Sequence, residues 1–370
     1  MKKILAVPCG IGLGHSTRIH SVINELKGKA EVKVASYGAG YDYFVKQGFK
    51  PIKMQGVKFS ITDYTFNLFS SLINNWDFPI TIIENMLLFN KIVKDFDPDI
   101  ILSDSEPNAI ILSKLLGKKC AAITNIPTIV YEEKYFPDTV AKELSNHSYI
   151  IRKIVDYLVK ESDKVLVPSF IKYDNKLPSN VELTDLFVRK KPSELPSEEV
   201  IKERMGLKKD FTMILLSGWS RIQEDFLDTL IKVLKGFEGE FIAVGGNVAK
   251  PTVRGNVKIL PFTDKVLQYL KASDSVITMA GHSYLSETLV YQKPALVVPI
   301  RKHVEQIANA SSLKRAGLAE VLIPGPYFET KLKKKLEMFF DTKEDLRKRV
   351  VRAGFRGNGA EQTVKALMKM

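Results

Sequence analysis

The feature that most constrains this chain is a rhythm that runs through it twice. Apolar runs of about five residues, the length of a buried strand, alternate with longer segments of helical period. Residues 3–8 (KILAVP), 32–36, 99–103, 121–126 and 164–168 read as strands, with helices expected at 16–28, 41–47, 83–95, 107–117 and 151–162. The rhythm then restarts, with strands at 212–216, 240–245, 256–260, 275–279 and 295–299 and helices at 222–236, 263–272, 283–291 and 304–316. Strands that alternate with helices pair in parallel through right-handed crossovers, so each half predicts an α/β unit built on a parallel sheet. Between the halves, residues 171–200 are rich in Lys, Pro, Ser and Asn and show no clear period, which places a boundary near Pro192. The chain of 370 residues is long enough for two domains, each with its own core. We expect domains at 1–192 and 193–350, with 351–370 as a C-terminal helix able to pack back on the first domain.

Several classes are disfavoured at once. No run of about 20 apolar residues occurs, so no transmembrane helix is expected. The apolar run before Pro8 is shorter than the ~7–15 residues of a signal-peptide core and leads into glycines, so it reads as a first strand. Cys9 and Cys120 have neither disulfide nor metal spacing, and a reducing cytoplasm is the natural setting. The formal net charge of +13 suits an anionic partner, either a membrane surface or an anionic substrate. Nucleic acid is not expected, because no recognised binding module appears and the basic residues are not interleaved with stacking aromatics. Asp97-Pro98-Asp99 has the acid-x-acid form of a metal–sugar-nucleotide motif. It precedes a strand and contains Pro, so it reads as a strand-entry turn, and no metal is expected.

Residues 10–18 read Gly-Ile-Gly-Leu-Gly-His-Ser-Thr-Arg, after a strand and at the start of a helix. Glycines let the backbone turn sharply and approach a ligand, and free N–H groups at a helix start favour negative charge. A dinucleotide fingerprint is not present. The spacing is Gly-x-Gly-x-Gly-His, and the next strand ends in Ser36-Tyr37-Gly38 with no acid for a ribose. His15, after Gly12 and Gly14, sits where a general base with near-neutral titration can act. Asp104, just past the 99–103 strand, reaches the same edge of the same sheet. It can orient the His15 imidazole or cap the following helix, and Glu106 is the substitute candidate.

The second half holds a denser constellation. Strand 275–279 feeds Ala280-Gly281-His282-Ser283, where a helix starts whose N–H groups can hold a diphosphate without a metal. Glu287 lies one turn into that helix, where a carboxylate can accept both hydroxyls of a ribose. Glu305 and Gln306 open the next helix and can read sugar hydroxyls. Phe66, Phe69, Leu72, Ile73 and Trp76 recur at helical spacing within 64–90, as either a membrane- or acceptor-facing surface or a core stripe.

The segment from about 261 to 317 resembles the donor-binding half of GT-B glycosyltransferases, nearest to the MurG-type (glycosyltransferase family 28) and diacylglycerol-glucosyl enzymes. The opening Gly-x-Gly-His-x-x-Arg resembles their first N-domain loop. The whole chain is similar to a group of archaeal and bacterial MurG-like glycosyltransferases. The resemblance implies two Rossmann-like domains with parallel sheets facing a central cleft. It implies that the backbone at Phe262 holds a uracil edge. Gly281, His282 and Ser283 would hold the diphosphate, Glu287 the ribose, and Glu305 and Gln306 the donor sugar. It further implies that Gly12, Gly14 and the loop Ser217-Gly218-Trp219-Ser220 face the donor, and that His15 and Asp104 act as the His–Asp pair of plant-type relatives. The implied activity is inverting, metal-independent hexosyl transfer from a UDP-sugar to a hydroxyl acceptor, lipid-linked or saccharide, by a cytoplasmic protein peripheral on the inner face of the membrane. No cofactor beyond the donor substrate is expected. A UDP-sugar 2-epimerase of the same architecture and a non-catalytic sugar-nucleotide-binding subunit are the alternatives.

Overall fold

The computed structural model describes residues 1–56, 61–62, 65–66, 78–173, 176–207, 210–216 and 220–370. The chain forms two compact units. One comprises Met1–Arg189 together with Asn358–Met370, and the other Lys190–Gly357.

The first unit follows the expected alternation. In chain order it runs β1 (Lys2–Pro8), α1 (Gly14–Leu26), β2 (Ala30–Ser36), α2 (Gly38–Lys46), β3 (Ile52–Lys53), the hairpin β4 (Ile61–Thr62) and β5 (Thr65–Phe66), and α3 (Phe78–Phe96). It continues with β6 (Ile100–Asp104), α4 (Pro107–Leu115), β7 (Lys119–Ile123), α5 (Ile126–Glu132), α6 (Asp138–Glu161), β8 (Lys164–Pro168) and β9 (Val181–Thr184). Seven strands form one sheet in the order β3-β2-β1-β6-β7-β8-β9, with every pairing parallel. The order reverses at β1, which has β2 on one side and β6 on the other. In such a sheet, ligands bind at the carboxyl ends of the strands beside the reversal. Ile4 and Ala6 pack on one face with Ile19, Val22 and Leu26 of α1, while Leu5 and Val7 pack on the other with Phe89 and Phe96 of α3. Each such fully buried aliphatic or aromatic side chain contributes about 1.5–3 kcal/mol. Asp97-Pro98-Asp99 forms the entry turn to β6, with the Asp99 carboxylate accepting from the Lys3 N–H at 2.8 Å.

The second unit repeats the plan. It holds α7 (Glu198–Met205), β10 (Phe211–Leu215), α8 (Ser220–Leu234), β11 (Glu240–Val244), β12 (Thr252–Arg254), β13 (Val257–Leu260), α9 (Val266–Ala272), β14 (Ser275–Thr278), α10 (His282–Val290), β15 (Ala295–Val297), α11 (Val304–Arg315), β16 (Glu320–Val321) and α12 (Phe328–Ala353). Its sheet order is β12-β13-β11-β10-β14-β15-β16. Only the edge strand β12 is antiparallel, and the order reverses at β10.

Helix α12 runs through residue 350 and stops at Gly354. The final helix, α13 (Gly359–Lys369), belongs to the first unit. Its Val364 and Leu367 join the core beneath α1, and Lys2 donates to the carbonyls of Leu367 and Met368 at its end. Among the described residues no helix is long and apolar enough to cross a membrane. Of the aromatic-rich stretch at 64–90, Phe69, Leu72, Ile73 and Trp76 lie outside the described residues.

Candidate active site

The glycine turn after β1 is shaped by close approach. A Cβ on Gly10 would come within 2.1 Å of the Tyr37 carbonyl oxygen, so only glycine lets the two strands' ends converge there. Gly12 takes φ +72, and nothing stands within 4 Å of its Cβ position. Gly14 then opens α1, and no side chain caps the helix, which leaves its first N–H groups available.

Strand β6 delivers Asp104 to the same edge, paired in register with Pro8 of β1. Ser105 turns the chain with φ 54, its N–H donating to the Ile123 carbonyl at 3.1 Å. The cap of α4 is Glu106, whose carboxylate accepts from the Asn108 N–H at 3.2 Å and the Asn108 amide at 2.8 Å. Asp104 is therefore free of the capping role and turns to α1. Its Oδ1 lies 2.8 Å from His15 Nδ1. Two bare lone pairs would repel at that distance, so Nδ1 carries the proton and Nε2 is the acceptor nitrogen. Asp104 is fully buried, whereas the His15 side chain keeps 28% of its surface.

Arg18, one turn along α1, completes the cluster. Its Nε donates to Asp104 Oδ2 at 2.7 Å and its Nη2 to Oδ1 at 2.5 Å. Nη2 also stands 3.2 Å from His15 Nδ1. Burial alone would raise the Asp104 carboxyl. The charges of Arg18 and His15 overcome that and hold it below the ordinary carboxylate range. The glycine motif alone assigns Arg18 no role. The available signal was its i, i+3 spacing from His15, which puts both on one helix face.

Beneath the turn lies a buried cluster of Glu106, Tyr37 and Cys9. Glu106 is fully buried, and its Oε2 has no hydrogen-bond partner among the described residues. Burial pushes its carboxyl up against the opposing pull of its Asn108 hydrogen bonds. The Tyr37 hydroxyl is pushed up by burial and by Glu106. The Cys9 thiol, 3.4 Å from that hydroxyl, is pushed up to about 12, chiefly by burial.

In the second unit, β14 ends at Thr278, whose hydroxyl donates to the Leu215 carbonyl at 3.2 Å and so ties the ends of β10 and β14. The turn that follows is held by Asn309 of α11, whose amide donates to the Ala280 carbonyl at 3.0 Å. Gly281 is the N-cap of α10 with no side-chain cap. Leu285 makes the first helical bond, to the Gly281 carbonyl, so the N–H groups of His282, Ser283 and Tyr284 are not used within the helix. Glu287 lies one turn in and is 2% exposed. Glu305 is half-buried at the start of α11. The Gln306 side-chain oxygen accepts from the Ile300 N–H at 2.9 Å, so part of this amide serves to hold the preceding loop. His303, not singled out in the sequence, caps α11 by accepting from the Gln306 N–H at 3.4 Å, and burial pulls its imidazole below the ordinary range. Phe262, just past β13 at the same carboxyl edge, is 70% exposed. Ser217 and Gly218 lie outside the described residues. The first unit thus brings His15 and Asp104 into contact beside Gly12 and Gly14. The second gathers Gly281, His282, Ser283 and Glu287 on one helix, next to the start of the helix bearing Glu305 and Gln306.

Known proteins resemble this chain along most of its length. The chain is 25% identical over 345 residues to an uncharacterised glycosyltransferase of Methanosarcina acetivorans, spanning 86% of this chain and 85% of the relative. It is 26% identical over 383 aligned residues to the UDP-N-acetylglucosamine–N-acetylmuramyl-(pentapeptide) pyrophosphoryl-undecaprenol N-acetylglucosamine transferase of Clostridium tetani, covering 100% of this chain and 98% of that protein. Among solved structures, Phytolacca americana UGT2 complexed with UDP-2-fluoro-glucose and pterostilbene superimposes with a TM-score of 0.71 at 11% identity, over 100% of this chain and 99% of that one. At that identity the likeness speaks for the fold. The family model described as glycosyl transferase family 1 matches residues 2–323, so the chain belongs to that family and is a MurG-like glycosyltransferase with the GT-B fold.

Proposed function

We propose that this glycosyltransferase moves a hexose from a UDP-sugar to a hydroxyl acceptor with inversion at the anomeric carbon. The observation that carries the reading is the 2.8 Å hydrogen bond between His15 Nδ1 and buried Asp104, which presents Nε2 as a base at the carboxyl edge of a parallel sheet. In this reading the acceptor oxygen bonds to the anomeric carbon while the bond from that carbon to the diphosphate oxygen breaks. The acceptor's proton passes to His15 Nε2. The diphosphate leaves toward the N–H groups of His282 and Ser283, whose dipoles favour the charge that develops on it. Gly12 and Gly14 leave room for the donor beside the base. Glu287 accepts the ribose hydroxyls, the backbone at Phe262 meets the uracil edge, and Glu305 and Gln306 meet the sugar. A single displacement needs no protein nucleophile, and leaving-group charge held by helix N–H groups needs no metal.

The acceptor in this reading is presented at a membrane surface. Ile80, Ile83 and Leu87 line one face of α3 and are 51%, 59% and 67% exposed. Such a stripe, in a chain with a formal net charge of +13, suits peripheral contact with an anionic leaflet and a lipid-linked acceptor.

Calorimetric titration with UDP, GDP and ADP tests the donor assignment. We expect selective UDP binding that Glu287→Ala weakens about 10–100-fold, the loss of a charged hydrogen-bond acceptor. Equal binding by the variant would remove Glu287 from the site. With the donor so identified, His15→Ala should lower transfer about 10²–10⁴-fold. A variant at full activity would overturn the base. Conversion of the donor without any acceptor would favour the epimerase.

A further inference from the structure

We propose that Arg18 is a positioning residue that grips both oxygens of Asp104 and so keeps His15 in the tautomer that presents Nε2 to the acceptor. The proposal rests on the reading of His15 as the base. Arg18 itself touches no reacting atom.

The geometry is a shared carboxylate. Asp104 is fully buried, Arg18 is 7% exposed, and the two make a bidentate pair through Nε and Nη2. His15 therefore does not hold a lone carboxylate, as in a simple His–Asp pair. It holds one whose two oxygens Arg18 already fixes, with the guanidinium Nη2 also 3.2 Å from Nδ1.

The guanidinium also fixes direction. A carboxylate gripped at both oxygens cannot rotate away from the imidazole, so the tautomer with Nε2 as acceptor is kept. Arg18 is held from its other side by the Phe187 ring, 5.9 Å from the guanidinium carbon. Among the described residues, Asp104 at the end of β6, Glu106 in the loop that follows and Arg18 on its own helix are the charged or titratable groups that the structure places around His15.

The test is nitrogen NMR of the histidine rings in the full-length protein, with the His15 signal assigned by its loss in His15→Ala. In the wild type we expect the neutral ring to be protonated at Nδ1. In Arg18→Met and Arg18→Gln, each checked to be folded by circular dichroism, we expect the neutral ring to become a mixture of tautomers. Arg18→Lys, which restores charge without the fork, should also leave a mixture. A ring that stays protonated at Nδ1 alone in folded Arg18→Gln would overturn the proposal. So would a single Nδ1-protonated tautomer in Arg18→Lys, which would show that charge alone suffices. This readout does not use turnover. An active His15→Ala enzyme would therefore remove the base assignment while leaving the Arg18 measurement to stand or fall by itself.

Discussion

Asp104 and Glu106 are both fully buried within one turn of chain, yet their surroundings drive them apart. Asp104 sits below the ordinary range because Arg18 and His15 outweigh its burial. Its contribution to stability is complete above the unfolded value of about 3.9 and is lost as pH falls through the lower folded value. Glu106 sits above the ordinary range because burial dominates. Folding then favours its protonated form, and stability declines as pH rises from the unfolded value of about 4.3 through the folded one. Glu106→Gln keeps the oxygen that caps α4 and removes the ionisation. We expect its urea-unfolding midpoint, relative to wild type, to rise as pH increases above about 4.3. A constant difference above that pH would show that Glu106 does not titrate on unfolding. The sequence made the meeting of His15 and Asp104 legible, because a glycine turn and a strand end lead to one sheet edge. It could not say whether Asp104 or Glu106 caps the helix. That was settled by the left-handed turn at Ser105, which no residue type announces.

At the scale of elements, the β1–α1 turn depends on Gly10. Alanine there would push its Cβ against the backbone of Tyr37, and backbone, unlike a side-chain tip, cannot step aside cheaply. Gly10→Ala should destabilise the first unit by about 1–3 kcal/mol and loosen the His15–Asp104 contact, measured by hydrogen exchange of the β1 and α1 amides. Unchanged protection would mean that the turn tolerates the methyl. The inner strands were readable because β1, β6, β7, β8, β10, β11 and β14 are continuous apolar runs. The edge strands β3, β9, β12 and β16 were not, since two to four residues are too few for a period to register. Helix α6 begins at Asp138, well before the expected 151, through a polar stretch whose weak apolar pattern is stabilised by packing on α5 and α4 rather than by local preference. Gln306 shows the limit for the donor helices. Its position was legible, but the bond from its side chain to the Ile300 backbone depends on a loop whose path only the fold defines.

Over the whole molecule, the chain passes between the units twice, at Arg189–Lys190 and at Gly357–Asn358. The return passage is fastened to the first unit by the Asn358 N–H donating to Asp185 at 3.0 Å and by the Gln362 side chain accepting from the Asp185 N–H at 2.7 Å. Residues 358–370 therefore complete a core begun some 350 residues earlier. Deleting them should lower hydrogen-exchange protection in β1 and α1 while leaving β10 and β14 protected. Equal loss in both units would show that the two cores are not independent. The same feature sets an order of assembly during synthesis. The ribosome finishes everything the second unit needs before it makes the helix that closes the first. Although domains generally fold from the N-terminus onward, here the sheet made first waits with the groove on α1 uncovered, and the half made second is the first able to reach its final form.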